Sequence, residues 1–164
     1  MGVFILAFAG FAIGLVLIFL LKTVSPPPPQ EKVKFDRPED RPLYLDDPEA
    51  FKSKCVEFLE KFNLDYKHSV WANDFELEIA MEDETPVVGG VYLALCVLNP
   101  PQNTVNAITV KGFLDTVKGE GASRGILITT GYFTSEALNS VEEEPVELVD
   151  IVQFLSYLKR FEIY

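Results

Sequence analysis

Residues 121–137 read GASRGILITTGYFTSEA, and this stretch shapes the expected fold more than any other part of the sequence. Within it, the apolar run from Gly125 to Thr130 predicts a strand that is buried inside a sheet. Gly131 then marks a turn, and Ser135 to Ser140 has the pattern of a short helix. A buried strand that leads through a turn into a helix is typical of an α/β domain.

The sequence on either side of this stretch extends the same architecture. Downstream, Val146 to Val149 predicts an edge strand, and Asp150 to Phe161 predicts a final amphipathic helix. Upstream, Val91 to Leu98 is a nearly continuous apolar run, which predicts a central strand buried on both faces. Between the two buried strands, Thr104 to Lys118 predicts a helix, and its expected apolar set is Val105, Ile108, Phe113, Leu114 and Val117.

The first part of the domain adds one helix and two strands. Asp47-Pro48-Glu49 predicts a helix start, because an N-cap acid precedes a proline at the first helical position. Tyr66 to Trp71 predicts a short strand, and the alternation from Phe75 to Glu82 predicts a half-buried strand. The apolar face of the first helix is Phe51, Cys55, Phe58, Leu59 and Phe62. The resulting order, αβββαβαβα, predicts an α/β domain over residues 46–164 with a mixed sheet flanked by helices.

The N-terminal region has the properties of a membrane anchor. Val3 to Leu21 contains no charged residue, and its nineteen residues would form a helix of roughly 28 Å, close to the thickness of a bilayer core. We therefore expect a single transmembrane helix over residues 1–21 that contacts the lipid bilayer. A cleaved signal peptide is disfavoured, because a basic n-region and a cleavage motif are both missing. Gly10 and Gly14 form a GxxxG pair, which makes a homodimer an alternative to a monomeric anchor.

Residues 22–45 are predicted to be a linker, and they also indicate the orientation in the membrane. They hold six of the eleven prolines, including Pro26 to Pro29, which favours a partly stiff spacer. Five basic residues follow the apolar run within this segment, so the positive-inside rule places the C-terminal domain in the cytoplasm. Two cysteines, Cys55 and Cys96, suit that reducing side as unpaired apolar residues.

Charge is distributed unevenly along the chain, whose formal net charge is −11. Residues 46–164 carry nine basic and twenty-one acidic side chains, a net charge of −12, whereas residues 22–45 carry +1. A domain of this charge is repelled by nucleic-acid phosphates and by anionic lipid headgroups. The composition therefore favours a protein partner over DNA.

The elements and several of their motifs resemble the Mrr-type restriction endonuclease domain of the PD-(D/E)XK nuclease superfamily, over roughly residues 47–160. The strongest similarity is the stretch 121–137, which resembles the family's strand that ends in a Thr-Thr-Gly turn before a short helix. Residues Val146 to Asp150 are similar to its closing strand, which enters the last helix at an acid. The helix that ends near Val117 corresponds to the family's helix after its catalytic strand. The resemblance implies a restriction-endonuclease-like mixed sheet.

The catalytic residues that the resemblance implies are largely missing. Members of the family hold Mg²⁺ with an acid at one strand start and with an acid or Gln in the next strand, and a Lys two positions later polarises the attacking water. The corresponding strand here, Tyr92 to Leu98, reads YLALCVL and contains no acid, amide or lysine. We therefore expect a non-catalytic binding module that needs no cofactor and recruits an unidentified cytoplasmic protein.

Two alternatives remain open at this point. The first is a divergent Mg²⁺-dependent endonuclease whose catalytic residues are Glu76, Glu78 and Lys111, with Asp74, Glu76 and Glu78 as candidate metal ligands. The second is a membrane-tethered DNA-binding domain that does not cleave, with a small basic patch of Lys111, Lys118 and Arg124. A zinc site is disfavoured, because His68 is the only histidine and the chain has no CxxC motif.

Overall fold

A five-stranded mixed sheet organises the part of the chain that the computed structural model describes, residues 32–35 and 37–164. The expected order of helices and strands is confirmed, and two short strands are added to it. In chain order the elements are α1 (Pro48–Glu60), β1 (Asp65–Trp71), β2 (Glu76–Asp83), β3 (Gly90–Val97), β4 (Thr104–Val105), α2 (Ala107–Gly119), β5 (Arg124–Thr129), β6 (Tyr132–Phe133), α3 (Ser135–Asn139), β7 (Val146–Val149) and α4 (Ile151–Arg160).

The sheet has the strand order β1-β2-β3-β5-β7. Strands β1, β2 and β3 form an antiparallel meander, whereas β5 and β7 run parallel to β3. The parallel connections pass through helices, as parallel strands require. The structure thus confirms the mixed sheet, the central position of β3 and the edge position of β7.

Helix starts are set by capping side chains. The Asp47 carboxylate accepts a hydrogen bond from the Ala50 amide at 2.8 Å, and Pro48 opens α1 as predicted. Helix α2 begins three residues later than expected, because Asn106 is its N-cap and accepts from the amides of Ile108 and Thr109. The preceding Thr104–Val105 is instead β4, which pairs in parallel with β6.

Several predicted core positions are corrected by the structure. Ile108 is 82% exposed, because it lies about 160° around the helix from the buried Val110, which takes its place in the core. Phe62 and Phe75 are 45% and 41% exposed, since each lies at or just beyond the end of its helix or strand. Only the second half of β3 is fully buried, and Val91 near its start is 45% exposed.

Two apolar cores lie on opposite faces of the sheet. The α1/α4 face is packed by Phe51 and Phe58 of α1 and by Phe154 of α4. The α2 face is packed by Val110 and other residues of α2 against alternate positions of β3 and β5. Cys55 and Cys96 are both buried in the first of these cores as free thiols, as expected.

The packed domain extends further upstream than the predicted boundary at residue 46. Tyr44 and Leu45 are buried in the α1/α4 core, and Val33 and Phe35 pack against it. The Val33 amide also donates a hydrogen bond to the Tyr132 hydroxyl at 2.8 Å. The second half of the predicted linker therefore packs on the domain, because its apolar side chains contact the α1/α4 core. The proline-rich composition did not predict this packing.

The predicted membrane helix, with Gly10 and Gly14, and the first part of the predicted linker lie outside the described residues. Among the residues that are described, no helix is both long and apolar enough to span a bilayer.

Candidate functional site

A cleft of about 280 Å³ opens where β2 begins, β3 ends and α2 begins. We call it the strand-end cleft. Its walls come from two turns and from the first turn of α2, so three separate segments of the sequence meet there. The residues that line it are Asn73, Phe75, Glu76, Val97, Pro100, Pro101, Gln102, Thr104, Val105, Asn106 and Thr109.

Strand pairing places the predicted acids directly beside β3. Glu76 lies opposite Val97, and Glu78 lies opposite Leu95 in the antiparallel register. Residues two apart on a strand share a face, so both carboxylates project on the α2 face of the sheet. The two β3 partners are apolar and only 3% and 7% exposed. The position beside each acid is therefore filled by hydrocarbon that packs under α2.

Glu76 is held by its own turn. The Asn73 side-chain amide donates to the Glu76 carboxylate at 2.6 Å. The Asn73 side-chain oxygen in turn accepts from the amides of Phe75 and Glu76 at 2.9 and 3.0 Å. Within the described residues, no lysine or arginine forms an ion pair with Glu76 or Glu78. The carboxylate thus completes a turn and does not belong to a charge network.

Lys111 is not brought to these acids. Thr109 of α2 lines the strand-end cleft, and Lys111 follows two residues later, about 160° around the helix axis. Its side chain is exposed on the far flank of α2. Asp74, the remaining candidate ligand, is exposed in the turn between β1 and β2. The structure therefore keeps Glu76 and Glu78 together and separates both from the predicted cation.

The donor set does not fit the Mg²⁺ ion that the resemblance implies. Mg²⁺ prefers six oxygen ligands in an octahedron, and protein sites use one or two carboxylates supported by other oxygens. Here the next strand contributes apolar side chains on this face, with Leu95 and Val97 beside the two acids. Across the described part of the chain, no group of three His, Cys, Asp or Glu side chains is placed to hold a metal ion.

The Thr-Thr-Gly turn, residues 129–131, holds the end of β3 that lines the cleft by hydrogen bonds. The Thr129 hydroxyl donates to the Val97 carbonyl at 3.1 Å and accepts from the Gly131 amide at 3.0 Å. The Thr130 hydroxyl accepts from the Asn99 amide at 2.6 Å. Both threonines are buried, so these bonds fix the end of β3 against the end of β5. The sequence identified this motif, but its role as a backbone clamp emerges only from the structure.

Gly131 permits a close approach of two backbones. A Cβ atom at this position would lie 2.8 Å from the Asn103 carbonyl oxygen and 2.8 Å from a ring carbon of Pro100. The Asn99–Asn103 loop that forms one wall of the cleft is therefore packed tightly on this glycine. Asn99 and Asn103 themselves have positive φ angles of 42° and 56°, which asparagine tolerates better than most residues.

The predicted basic patch is not formed as a unit. Lys118 pairs with Glu144 at 2.8 Å, so its charge is already neutralised locally. Lys111 lies on α2. Arg124 lies two residues before Ile126 on β5, so both side chains project on the opposite, α1/α4 face of the sheet. The acidic group of Glu82 to Glu84 is likewise a solvated strand end, where Lys67 pairs with Glu82 at 2.8 Å and with Glu84 at 3.4 Å.

Comparison with known protein families gives a match over most of the described domain. The sequence model of the Mrr catalytic-domain family, described as a restriction endonuclease, matches residues 46–158. The chain belongs to the Mrr-type restriction endonuclease family. This match places the strand-end cleft, with its acid at the start of β2, inside the family's domain.

One solved structure supports the same fold. The DNA modification-dependent restriction endonuclease AspBHI aligns with a TM-score of 0.52 and 17% identity, covering 84% of this chain and 40% of AspBHI. The MspJI restriction endonuclease in complex with a 27-mer oligonucleotide aligns with a TM-score of 0.46 and 17% identity, covering 66% of this chain and 26% of MspJI. The chain thus spans less than half the length of these two structures. Curated protein sequences give no significant match.

Proposed function

We propose that this chain is a membrane-anchored, non-catalytic member of the Mrr-type family that recruits a protein partner to the cytoplasmic face of the membrane. The observation that carries the proposal is the pair Leu95 and Val97, which are buried and apolar beside the acids of β2. The resemblance implies an acid or Gln in this strand and a Lys two positions later, and neither residue of the pair can supply such a group.

The chemistry of phosphodiester cleavage explains why this pair matters. A metal ion must lower the pKa of a water molecule and stabilise the charge that develops on the phosphate. A lone carboxylate such as Glu76, hydrogen-bonded to Asn73, supplies neither a full coordination shell nor a positive charge. The replacement residues contribute to packing under α2, so the strand serves stability where the family uses it for catalysis.

Charge supports a protein partner more than a nucleic acid. Residues 46–164 carry a net charge of −12, and the three basic residues proposed for DNA contact are dispersed or paired with an acid. DNA binding depends chiefly on neutralising phosphates with basic side chains, and a surface with an excess of acids provides few of them. A membrane-tethered DNA-binding domain is therefore the weaker of the two binding functions.

The anchor rests on the apolar run Val3 to Leu21 and on the basic residues that follow it. A Cys55→Ser/Cys96→Ser chain with one new cysteine just after Pro29 tests its orientation. We expect a membrane-impermeant maleimide to label this cysteine only in lysed cells. Labelling in intact spheroplasts would contradict a cytoplasmic domain. A homodimer through Gly10 and Gly14 predicts, in addition, that Gly10→Leu weakens self-association in detergent.

The central experiment follows DNA binding and cleavage together. The full chain in non-ionic detergent is mixed with labelled double-stranded DNA at low salt, with Mg²⁺ or Mn²⁺, alongside Glu76→Ala and Glu78→Ala. We expect neither tight binding nor cleavage. Metal-dependent cleavage that both variants lose would establish the divergent nuclease instead. Binding without cleavage would establish the DNA tether.

A further inference from the structure

A second and larger cleft, of about 640 Å³, lies at the opposite end of the parallel strands. It opens on the α1/α4 face, where β3, β5 and β7 begin, and we call it the strand-start cleft. Its walls carry four aromatic rings and its rim carries four carboxylates. The aromatic residues are Phe58, Phe62, Tyr92 and Tyr157, and the acids are Asp83, Glu143, Glu144 and Glu147.

Strand register builds the floor of this cleft. Tyr92 of β3 lies beside Arg124 of β5, and Ile126 of β5 lies beside Glu147 of β7. These positions alternate with residues of the α2-face core, so their side chains emerge together on the α1/α4 face. The floor therefore combines apolar surface with one acid and one base at fixed spacing.

Aromatic rings from two helices form one wall. Phe62 follows the end of α1, and its ring centroid lies 5.1 Å from that of Phe58 and 6.3 Å from that of Tyr157 in α4. Phe62 meets both rings edge to face, with interplanar angles of 82° and 81°, whereas Phe58 and Tyr157 are tilted at 41° to each other. Phe62 nevertheless remains 45% exposed and lines the cleft.

The carboxylates at the rim are incompletely neutralised. Glu144 pairs with Lys118, whereas Glu143 and Glu147 form no ion pair with any described residue. Hydrogen bonds from the hydroxyl and amide of Thr85 lower the pKa of Asp83, so this side chain stays ionised at neutral pH. Arg124 is the single base among the residues that line the cleft, so the lining as a whole has a net charge of −3.

We infer that the strand-start cleft is the docking site for a basic segment of the partner protein, which inserts an arginine or lysine side chain between the aromatic wall and the acidic rim. The positive charge of an arginine or lysine is stabilised both by aromatic faces and by carboxylates. The methylene groups of its side chain can pack against the aromatic wall. An anionic segment would meet the unpaired acids and be repelled. This inference rests on the proposed function, since it names the chemistry of the recruited partner.

The test uses acetyl-hexaarginine amide as the probe, titrated calorimetrically into the full chain in non-ionic detergent at an ionic strength of about 0.15 M. We expect saturable binding that Glu147→Gln weakens about fivefold, as does Phe62→Ala. Each variant has a matched control outside the cleft. Glu136→Gln removes the same charge from exposed α3, and Phe75→Ala removes a phenylalanine that is 41% exposed. Both controls should change the dissociation constant by less than about twofold.

Two results would overturn the inference. If Glu136→Gln weakens binding as much as Glu147→Gln does, the peptide is attracted by diffuse charge and the cleft is not its site. If hexaarginine does not bind at all, the cleft does not take basic side chains. In either case the proposed loss of nuclease activity is unaffected, because that claim depends on the DNA experiment at the other end of the sheet.

Discussion

The ends of β3 and β5 lie side by side in the sheet, yet the side chains at the two ends differ in polarity. The end of β5 retains buried polar side chains, Thr129 and Thr130, whose hydrogen bonds hold the neighbouring backbone. The end of β3 has apolar Leu95 and Val97 at the positions that face the acids of β2. The hydrogen bonds that hold this end of the sheet and the side chains beside the β2 acids therefore come from different residues, so each group can be changed by mutation without the other.

The largest effect on stability is expected at the glycine of the Thr-Thr-Gly turn, Gly131. We expect Gly131→Ala to lower the free energy of unfolding by about 3 kcal/mol, because the new Cβ would overlap backbone that cannot move independently. Gly112→Ala is the control, since its Cβ would meet nothing within 4 Å in helix α2. That variant should raise stability by about 0.5–1 kcal/mol. Urea denaturation followed by circular dichroism measures both, and equal effects would contradict the proposed close approach.

The clamp itself is tested at Thr129. We expect Thr129→Val to destabilise the domain by about 2 kcal/mol, because the Val97 carbonyl and the Gly131 amide each lose a buried partner. The volume hardly changes, so the loss reports the hydrogen bonds. Thr116→Val removes an exposed hydroxyl that donates to the Gly112 carbonyl, and it should cost less than about 0.5 kcal/mol. A neutral Thr129→Val would show that the turn does not hold the end of β3.

A smaller effect on the free energy of unfolding is expected at Asp46, which joins Arg41 of the predicted linker to Asn99 after β3. Asp46 accepts from Arg41 at 2.6 and 3.1 Å and from the Asn99 side chain at 3.1 Å, and the Arg41 hydrogen bond lowers the pKa of Asp46. Because the pair is solvent-exposed, Asp46→Asn should cost only about 0.5 kcal/mol at neutral pH.

The pH dependence has a definite sign. A depressed folded-state pKa means that Asp46 stabilises the domain above its unfolded-state pKa and loses this contribution as the pH falls through the folded-state value. The difference between wild type and Asp46→Asn in urea midpoint should therefore vanish at strongly acidic pH. A difference that persists there would assign the effect to the neutral hydrogen bond with Asn99.

The smallest effect is expected at the candidate acid. Glu76→Gln should change the free energy of unfolding by less than about 0.5 kcal/mol, because glutamine keeps an acceptor for Asn73 and no ion pair is broken. A thermal melt across neutral and mildly acidic pH measures this. A marked stabilisation by glutamine would mean that Glu76 is held in a strained, repulsive environment of the kind that active sites often contain.

The sequence predicted the architecture well because its signals are local. Alternation in β2, the apolar runs of β3 and β5, and the Asp47-Pro48 cap each specify an element without reference to distant residues. The burial of Ile108 was predicted wrongly and the packing of residues upstream of Asp46 was not predicted, for the opposite reason. Burial of Leu45 and docking of Val33 on Tyr132 depend on surfaces that only the folded chain creates.

At the strand-end cleft, the positions of the acids could be predicted from the sequence, but the position of the lysine could not. The absence of an acid, amide or lysine between Tyr92 and Leu98 can be read directly from the sequence, and Glu76 and Glu78 do project on one face as alternation requires. The position of Lys111 could not be derived in the same way, because it depends on how α2 rotates over the sheet. The strand-start cleft was missed altogether, since its aromatic rings and acids come from five separate parts of the chain.

Binding of Mn²⁺ distinguishes a non-catalytic domain from a divergent nuclease, because cleavage at the strand-end cleft would require a divalent ion. The paramagnetic resonance signal of free Mn²⁺ is followed as the full chain is added, for wild type, Glu76→Gln, Glu78→Gln and the exposed control Glu136→Gln. We expect only weak binding, with dissociation constants above about 1 mM that all three variants change equally. A single site tighter than about 0.1 mM that disappears in Glu76→Gln and persists in Glu136→Gln would contradict the account.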